Sequence, residues 1–201
     1  MARGLLSSGV RPARVLVSGR ATRKLIAPLR VDTAESGGVL TERLEIRAPD
    51  PTDRGRFVEL FCDPEFMVFS DGVHDRKSAN ARFDRMLANA AEIPFAKQPV
   101  IERATGRIVG YSGVDWFDFE GARRLEYGYR LVPDARGRGF ATEAGLALLG
   151  LADETFRGEL LAMIDPTNLP SQRVIAKLGF TYWKQAEIHG FVDNLYRRTC
   201  S

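Results

Sequence analysis

Between a run that alternates like a strand and a run that repeats like a helix stands Arg136-Gly137-Arg138-Gly139-Phe140-Ala141. No other segment constrains the chain as much. Two glycines let a backbone turn tightly and leave its N–H groups uncovered. A helix starting there adds about half a positive charge at its N-terminus. Two arginines flank the turn. Exposed amides, a helix start and the lack of bulky side chains make an anion cradle, and they predict a phosphate-bearing ligand.

The common nucleotide motifs do not fit this loop. A P-loop ends in Gly-Lys-Ser or Gly-Lys-Thr, which reach the phosphates and magnesium. Here the corresponding residues are Gly139-Phe140-Ala141. A dinucleotide fingerprint needs a third glycine and an early βαβ unit. Here the third glycine is missing and the loop follows a meander.

The elements around the loop are legible from periodicity. Residues 41–47 alternate, with Leu44 and Ile46 on one face, and read as a strand. Pro51 opens a helix whose apolar side is Phe57, Val58, Leu60 and Phe61, and Asp63-Pro64 stops it. Residues 77–93 carry Phe83, Met86, Leu87 and Ala90 at helical spacing. Residues 95–102, 107–117 and 123–132 read as three strands, the first two joined by a hairpin turn at 104–106. In the third, Leu125, Tyr127, Tyr129 and Leu131 share one face, and Glu126, Gly128 and Arg130 share the other. After the loop come a helix to about Phe156 and a short buried-type strand, 159–164. Asn168 then caps a helix with core face Val174, Ile175 and Leu178, and Gly179 follows its end. Two strands, 180–188 and 191–197, finish the chain around a turn near His189-Gly190.

The 201 residues, 44% hydrophobic, suit one domain with a sizeable core. The net charge of +3 is unevenly spread. Residues 1–38 hold seven basic side chains against Asp32 and Glu35, so the remainder is slightly acidic. The basic character belongs to the extension, and no nucleic-acid partner is expected for the domain at 39–201. The Arg-, Ser- and Gly-rich extension reads as a disordered tail, a mitochondrial presequence or a basic arm on a polyanion. No apolar run approaches a membrane span of roughly 18 residues. Two distant cysteines, Cys62 and Cys200, imply a reducing compartment, hence a cytoplasmic protein unless the presequence reading holds. With only His74 and His189 besides, no metal site is expected.

Arg136-x-x-Gly139-x-Ala141 resembles the Arg/Gln-x-x-Gly-x-Gly/Ala signature of the GCN5-related N-acetyltransferases. Asn168, Ser171 and Lys177-Leu178-Gly179-Phe180 are similar to the Asn-x-x-Ser…Lys-Leu-Gly-Phe segment of that superfamily's ribosomal-protein, Rim-type branch. Glu143-Ala144 and Glu126-Tyr127-Gly128-Tyr129 resemble the same branch, over residues 40–198. The resemblance implies a mixed α/β fold: a central, mostly antiparallel twisted sheet of six to seven strands flanked by helices. A splayed strand pair in it forms the cofactor cleft. It also implies acetyl-CoA as co-substrate, with no metal, and an amine acceptor, either a protein N-terminus or a small amine. By the same resemblance the loop of Arg136, Gly137, Arg138, Gly139, Phe140, Ala141 and Thr142 holds the pyrophosphate. Tyr129, Leu131 and Val132 line the pantetheine, and Asn168 and Ser171 lie near the thiol. A monomer or homodimer is expected.

Acetyl transfer to an amine needs a group to take the amine proton, a donor for the oxyanion and help for the departing thiolate. Two glutamates are candidate bases. Glu187 lies in a segment resembling the one that carries the base in Rim-type enzymes. Glu126 lies on the central strand, where relatives place a water-linked base. Each also reads as a surface or salt-bridged carboxylate. Ser171 is the acid by resemblance, or else a second cap beside Asn168. Tyr127 and Tyr129 read as core aromatics. His74, Phe66, Phe69, Trp116 and Trp183 could wall the acceptor side. The rival function is a non-catalytic acyl-CoA-binding module that keeps the loop and lacks a working base.

Overall fold

Alternating apolar residues in the middle of the chain build the centre of one wide sheet. The structure, a computed structural model, describes residues 32–33, 38–70, 72–188 and 190–200. Their strands are β1 (Asp32–Thr33), β2 (Val39–Leu40), β3 (Leu44–Ile46), β4 (Gln98–Glu102), β5 (Arg107–Phe119), β6 (Ala122–Leu131), β7 (Gly158–Ile164), β8 (Thr181–Ile188) and β9 (Phe191–Cys200). Their helices are α1 (Arg54–Phe61), α2 (Arg76–Glu92), α3 (Phe140–Thr155) and α4 (Leu169–Lys177). Spatial order is β1-β2-β3-β4-β5-β6-β7-β9-β8. Every neighbouring pair is antiparallel except β6 and β7.

Nine strands stand where the sequence predicts six to seven. The additions are the two-residue β1 and β2, too short to show a period. The predicted strand 41–47 shrinks to Leu44–Ile46, because Thr41 turns its hydroxyl to the Leu44 carbonyl. Of the predicted extension, Asp32 and Thr33 pair with Leu40 and Val39. The rest of residues 1–37 lies outside the described residues, as does His189 of the final turn.

The β5–β6 ladder sorts the sheet into two faces. Tyr111, Gly113 and Asp115 stand opposite Arg130, Gly128 and Glu126 on one face. Ser112, Val114 and Trp116 stand opposite Tyr129, Tyr127 and Leu125 on the other. The first face is covered by α1 and α2: Phe57 stacks on Phe83 at 5.5 Å and Phe61 meets Tyr111 at 6.2 Å. Asp75 caps α2 by accepting from the Ser78 amide, which places its start at Arg76. The second face is covered by α3 and α4, where Tyr127 packs on Phe180 at 5.7 Å. A smaller cluster of Phe119, Leu161, Ile188 and Leu195 lies under the β5–β6 hairpin.

The parallel pair is the break in the sheet. β6 and β7 align only at Leu125–Leu160 and Glu126–Leu161. Beyond that point β6 continues to Leu131 and β7 to Ile164. The two strands diverge there into a V that opens toward the loop at 136–141.

Candidate functional site

The loop is shaped by two residues that a side chain would strain. Gly137 has φ +71° and Gly139 has φ +84°, both in the left-handed region that glycine tolerates. Gly139 is the N-cap of α3 and offers no side chain to its first-turn amides. Phe140 is buried, so Ala141 and Thr142 turn with the helix start. A cap without a side chain leaves amides directed at whatever anion sits above them.

The loop arginines brace the backbone. Arg136 donates from Nε to the Leu131 carbonyl at 3.0 Å and from a terminal nitrogen to the Glu65 carbonyl at 2.7 Å. Arg138 pairs with the buried Glu102 and lies over the Phe140 ring at 4.3 Å. That guanidinium holds the Glu102 carboxyl below its ordinary pKa.

A third arginine, which sequence reasoning missed, completes the brace. Arg43 donates to Glu143 Oε2 at 2.8 Å and to the Arg138 carbonyl at 2.9 Å. A Cβ on Gly139 would lie 3.4 Å from its guanidinium. Glu143 also accepts from the Thr41 hydroxyl at 2.6 Å and the Arg43 amide at 3.0 Å. Burial opposes its charge, but those bonds outweigh it and hold the carboxyl below its ordinary value. Arg43 shows no periodic or motif signal; only the fold brings it across 95 residues to Arg138.

At the fork of the V, Tyr129 and Ser171 meet. The Tyr129 hydroxyl donates to Ser171 Oγ at 2.9 Å. Burial raises the Tyr129 pKa, so the phenol stays protonated and remains a donor. The Ser171 amide donates to Asn168 Oδ1 at 3.2 Å, so Asn168 is the cap of α4. Val132 donates its amide to the Val109 carbonyl at 2.9 Å, and Leu131 gives its carbonyl to Arg136. Tyr127 is buried with its hydroxyl 2.9 Å from Ser112 Oγ, a core tyrosine.

The two candidate glutamates are separated. Glu126 stands at the last aligned position of the V, on the α1–α2 face. Its side chain is 12% exposed and its Oε2 accepts from Lys97 Nζ at 3.0 Å. Gly128 makes room for it: a Cβ there would stand 2.9 Å from Glu126 Oε1. Lys97 reaches this place because residues 95–97 cross β5 instead of extending β4. Val114 donates to the Phe95 carbonyl and Lys97 donates to the Val114 carbonyl. Gly113 permits the crossing, since a Cβ there would lie 2.1 Å from the Ala96 oxygen. Burial works against the Lys97 ammonium, yet Glu126, Tyr111 and Asp115 hold its pKa above the ordinary value.

Glu187 stands on β8, the outermost strand, with its side chain exposed. Ala186 and Ile188 pack on the small cluster under the hairpin, so alternation turns Glu187 to the opposite face from them. A carboxylate that sequence reasoning did not single out is nearer to Glu126. Asp193 on β9 is half-buried, and burial, then Asp165 and Glu126, raise its pKa. The predicted acceptor-side residues divide. Phe66 is buried against Tyr111, and Trp183 packs on Phe119. Trp116 lies under Arg123, Phe69 is exposed, and His74 sits 3.2 Å from Arg82. Among the described residues no helix is long and apolar enough to cross a membrane.

Comparison with known proteins agrees with this geometry. The acetyltransferase (GNAT) domain family matches residues 43–181. The uncharacterized protein YkkB of Bacillus subtilis is 29% identical over 149 residues, 73% of this chain and 86% of its own length. The acetyltransferase structure from Agrobacterium tumefaciens superposes with a TM-score of 0.68 at 25% identity, covering 90% of this chain and 99% of that one. RimL, a ribosomal L7/L12 α-N-protein acetyltransferase in complex with coenzyme A, gives 0.65 at 16% identity, covering 79% and 95%.

Proposed function

The chain belongs to the GNAT acetyltransferase family, and from that premise we propose that it moves an acetyl group directly from acetyl-CoA to a primary amine. The observation that carries this reading is the V between β6 and β7 with a glycine-capped helix at its open end. The amides of the loop and of the first turn of α3, from Gly137 to Thr142, take the pyrophosphate. The pantetheine runs along Tyr129 to Val132, and the thioester lies at the fork. Backbone amides of β6 left free by the divergence are the donors for the oxyanion.

Chemistry at the fork divides between the two faces. Glu126, paired with the Lys97 ammonium at 3.0 Å, takes the proton from the incoming ammonium. The neutral amine attacks the thioester carbonyl, and the tetrahedral intermediate forms. Its collapse breaks the C–S bond, and the nitrogen gives its second proton to the Ser171 oxygen as that hydroxyl gives its own to sulfur. Ser171, whose oxygen already accepts from Tyr129, turns its own hydrogen to the departing thiolate. The relay leaves a proton on the thiol, whose ordinary pKa is about 8.5. Glu187, exposed on the edge strand, takes no part in this scheme.

The test is release of free CoA from acetyl-CoA by the full chain, against peptide N-termini and small amines. Glu126→Gln should lower kcat about a hundredfold or more, the usual worth of a general base, while acetyl-CoA affinity stays. Equal turnover by Glu126→Gln would remove the base from the scheme. Tight binding of acetyl-CoA by the wild-type chain without transfer to any amine would favour the non-catalytic binding module instead.

A further inference from the structure

The sheet face that carries Glu126 differs on the two sides of that residue. Toward Tyr111 the space is filled. The cavity bounded there by Lys97, Tyr111 and Asp115 has about 20 Å³ free, little more than one water site. Toward the β5–β6 hairpin an open cleft of about 390 Å³ lies between the end of β5 and the end of β8. That volume falls within the roughly 300–1,000 Å³ of small-molecule sites. An acceptor whose amine lies at Glu126 has room for its body on the hairpin side, not on the Tyr111 side.

Both walls of the cleft lead to Glu126. Phe117 pairs with Arg124, and Glu126 is two residues farther along β6. Such diagonal neighbours on one face stand about 7–8 Å apart. On the other wall Ala186 pairs with Asp193, whose carboxyl is near enough to Glu126 to feel its charge. The inner surface is apolar. Phe117 and Phe119 stack at 6.1 Å on the β5 side, and Ala186 and Ile188 line the β8 side. Phe119 and Ile188 are buried in the small cluster, whereas Phe117 and Ala186 are only partly covered. Three carboxylates also border the cleft. Alternation turns Asp118 and Glu187 away from the four apolar side chains, and Glu120 is paired with Lys184.

We propose that this cleft takes the apolar body of the acceptor, so that the substrate is a small primary amine bearing an aromatic or branched hydrocarbon group and no carboxylate. Its nitrogen lies at Glu126, and after a hydrogen bond of about 3 Å there, a spacer of about two or three carbons brings the group to Phe117. Covering Phe117 and Ala186 removes apolar surface from water, which is the source of the preference. A carboxylate on the acceptor would meet Asp118, Glu120 and Glu187, and like charge disfavours it. A polyamine would leave the apolar walls uncovered. This inference rests on the acetyl-transfer reading and adds the substrate class to it.

The experiment measures transfer by the full chain to phenethylamine, isoamylamine, ethanolamine, phenylalanine, spermidine and a peptide beginning with phenylalanine. The wild type should favour the two hydrocarbon amines over ethanolamine and over phenylalanine by about tenfold or more in kcat/KM, through KM. Ala186→Phe, which fills the cleft from the outermost strand, should bring the ratio of phenethylamine to ethanolamine near one. Acetyl-CoA affinity and turnover of ethanolamine should be kept. Phe117→Ala, which removes a wall, should lower the same ratio severalfold. Ethanolamine, phenylalanine or spermidine accepted as well as the hydrocarbon amines would overturn the inference alone. So would a preference that survives both substitutions, or a peptide accepted tenfold better than phenethylamine. No transfer to any amine would overturn it together with the acetyl-transfer reading.

Discussion

Gly139 concentrates the demands on a single residue. Its φ of +84° starts α3, and the space where a Cβ would stand is bounded by the Arg43 guanidinium at 3.4 Å. Any L-residue there costs about 1–2 kcal/mol in backbone strain. Gly139→Asp adds a carboxylate against the pyrophosphate, so acetyl-CoA affinity measured by calorimetry should fall at least tenfold, with the fold retained. Gly139→Ala separates strain from charge, because it keeps only the first, and should bind more tightly than the aspartate variant. An aspartate variant that binds like wild type would contradict the phosphate-cradle role. Glu126 was legible only as one of two glutamates. Alternation assigned its face, but its pairing with Lys97 depends on a crossing of residues 95–97 that an apolar run conceals.

At the scale of elements, the start of α3 is tied to the chain before β3. Glu143 accepts from Thr41 and Arg43, and its folded pKa lies below its ordinary 4.5. A depressed carboxyl stabilises the fold fully above that ordinary value and loses the contribution as pH falls through the folded value. Urea midpoints of wild type and Glu143→Gln should therefore differ at pH 6 and converge toward pH 3. Parallel profiles would show that the tie contributes nothing. The same tie explains why the first predicted strand is short: Thr41 serves the helix and the turn before it can serve a ladder. The long helices and the meander were readable because their periods run over many residues. The β1 and β2 pairs were not, because two residues have no period.

For the whole molecule, the sheet is built around a divergence that a ligand would bridge. Acetyl-CoA at a hundredfold excess over its Kd should stabilise the chain by about 2.7 kcal/mol. That corresponds to a rise in Tm of roughly 5–11 °C for a domain of this size, readable by thermal denaturation. Gly139→Asp should show no such rise, and an unshifted wild-type Tm would argue against acetyl-CoA as the ligand. The order of elements, the glycine-shaped loop and its companion segment Asn168–Phe180 are readable in the linear chain, because dihedral demands and periodicity are local. The tertiary structure alone decided which charges meet. It drew Arg136 and Arg138 into bracing the loop, put Arg43 beside Gly139, and set Glu126 against Lys97 and Glu187 on the outer strand. Electrostatic partnership depends on distances across the fold, and a linear spacing does not contain them.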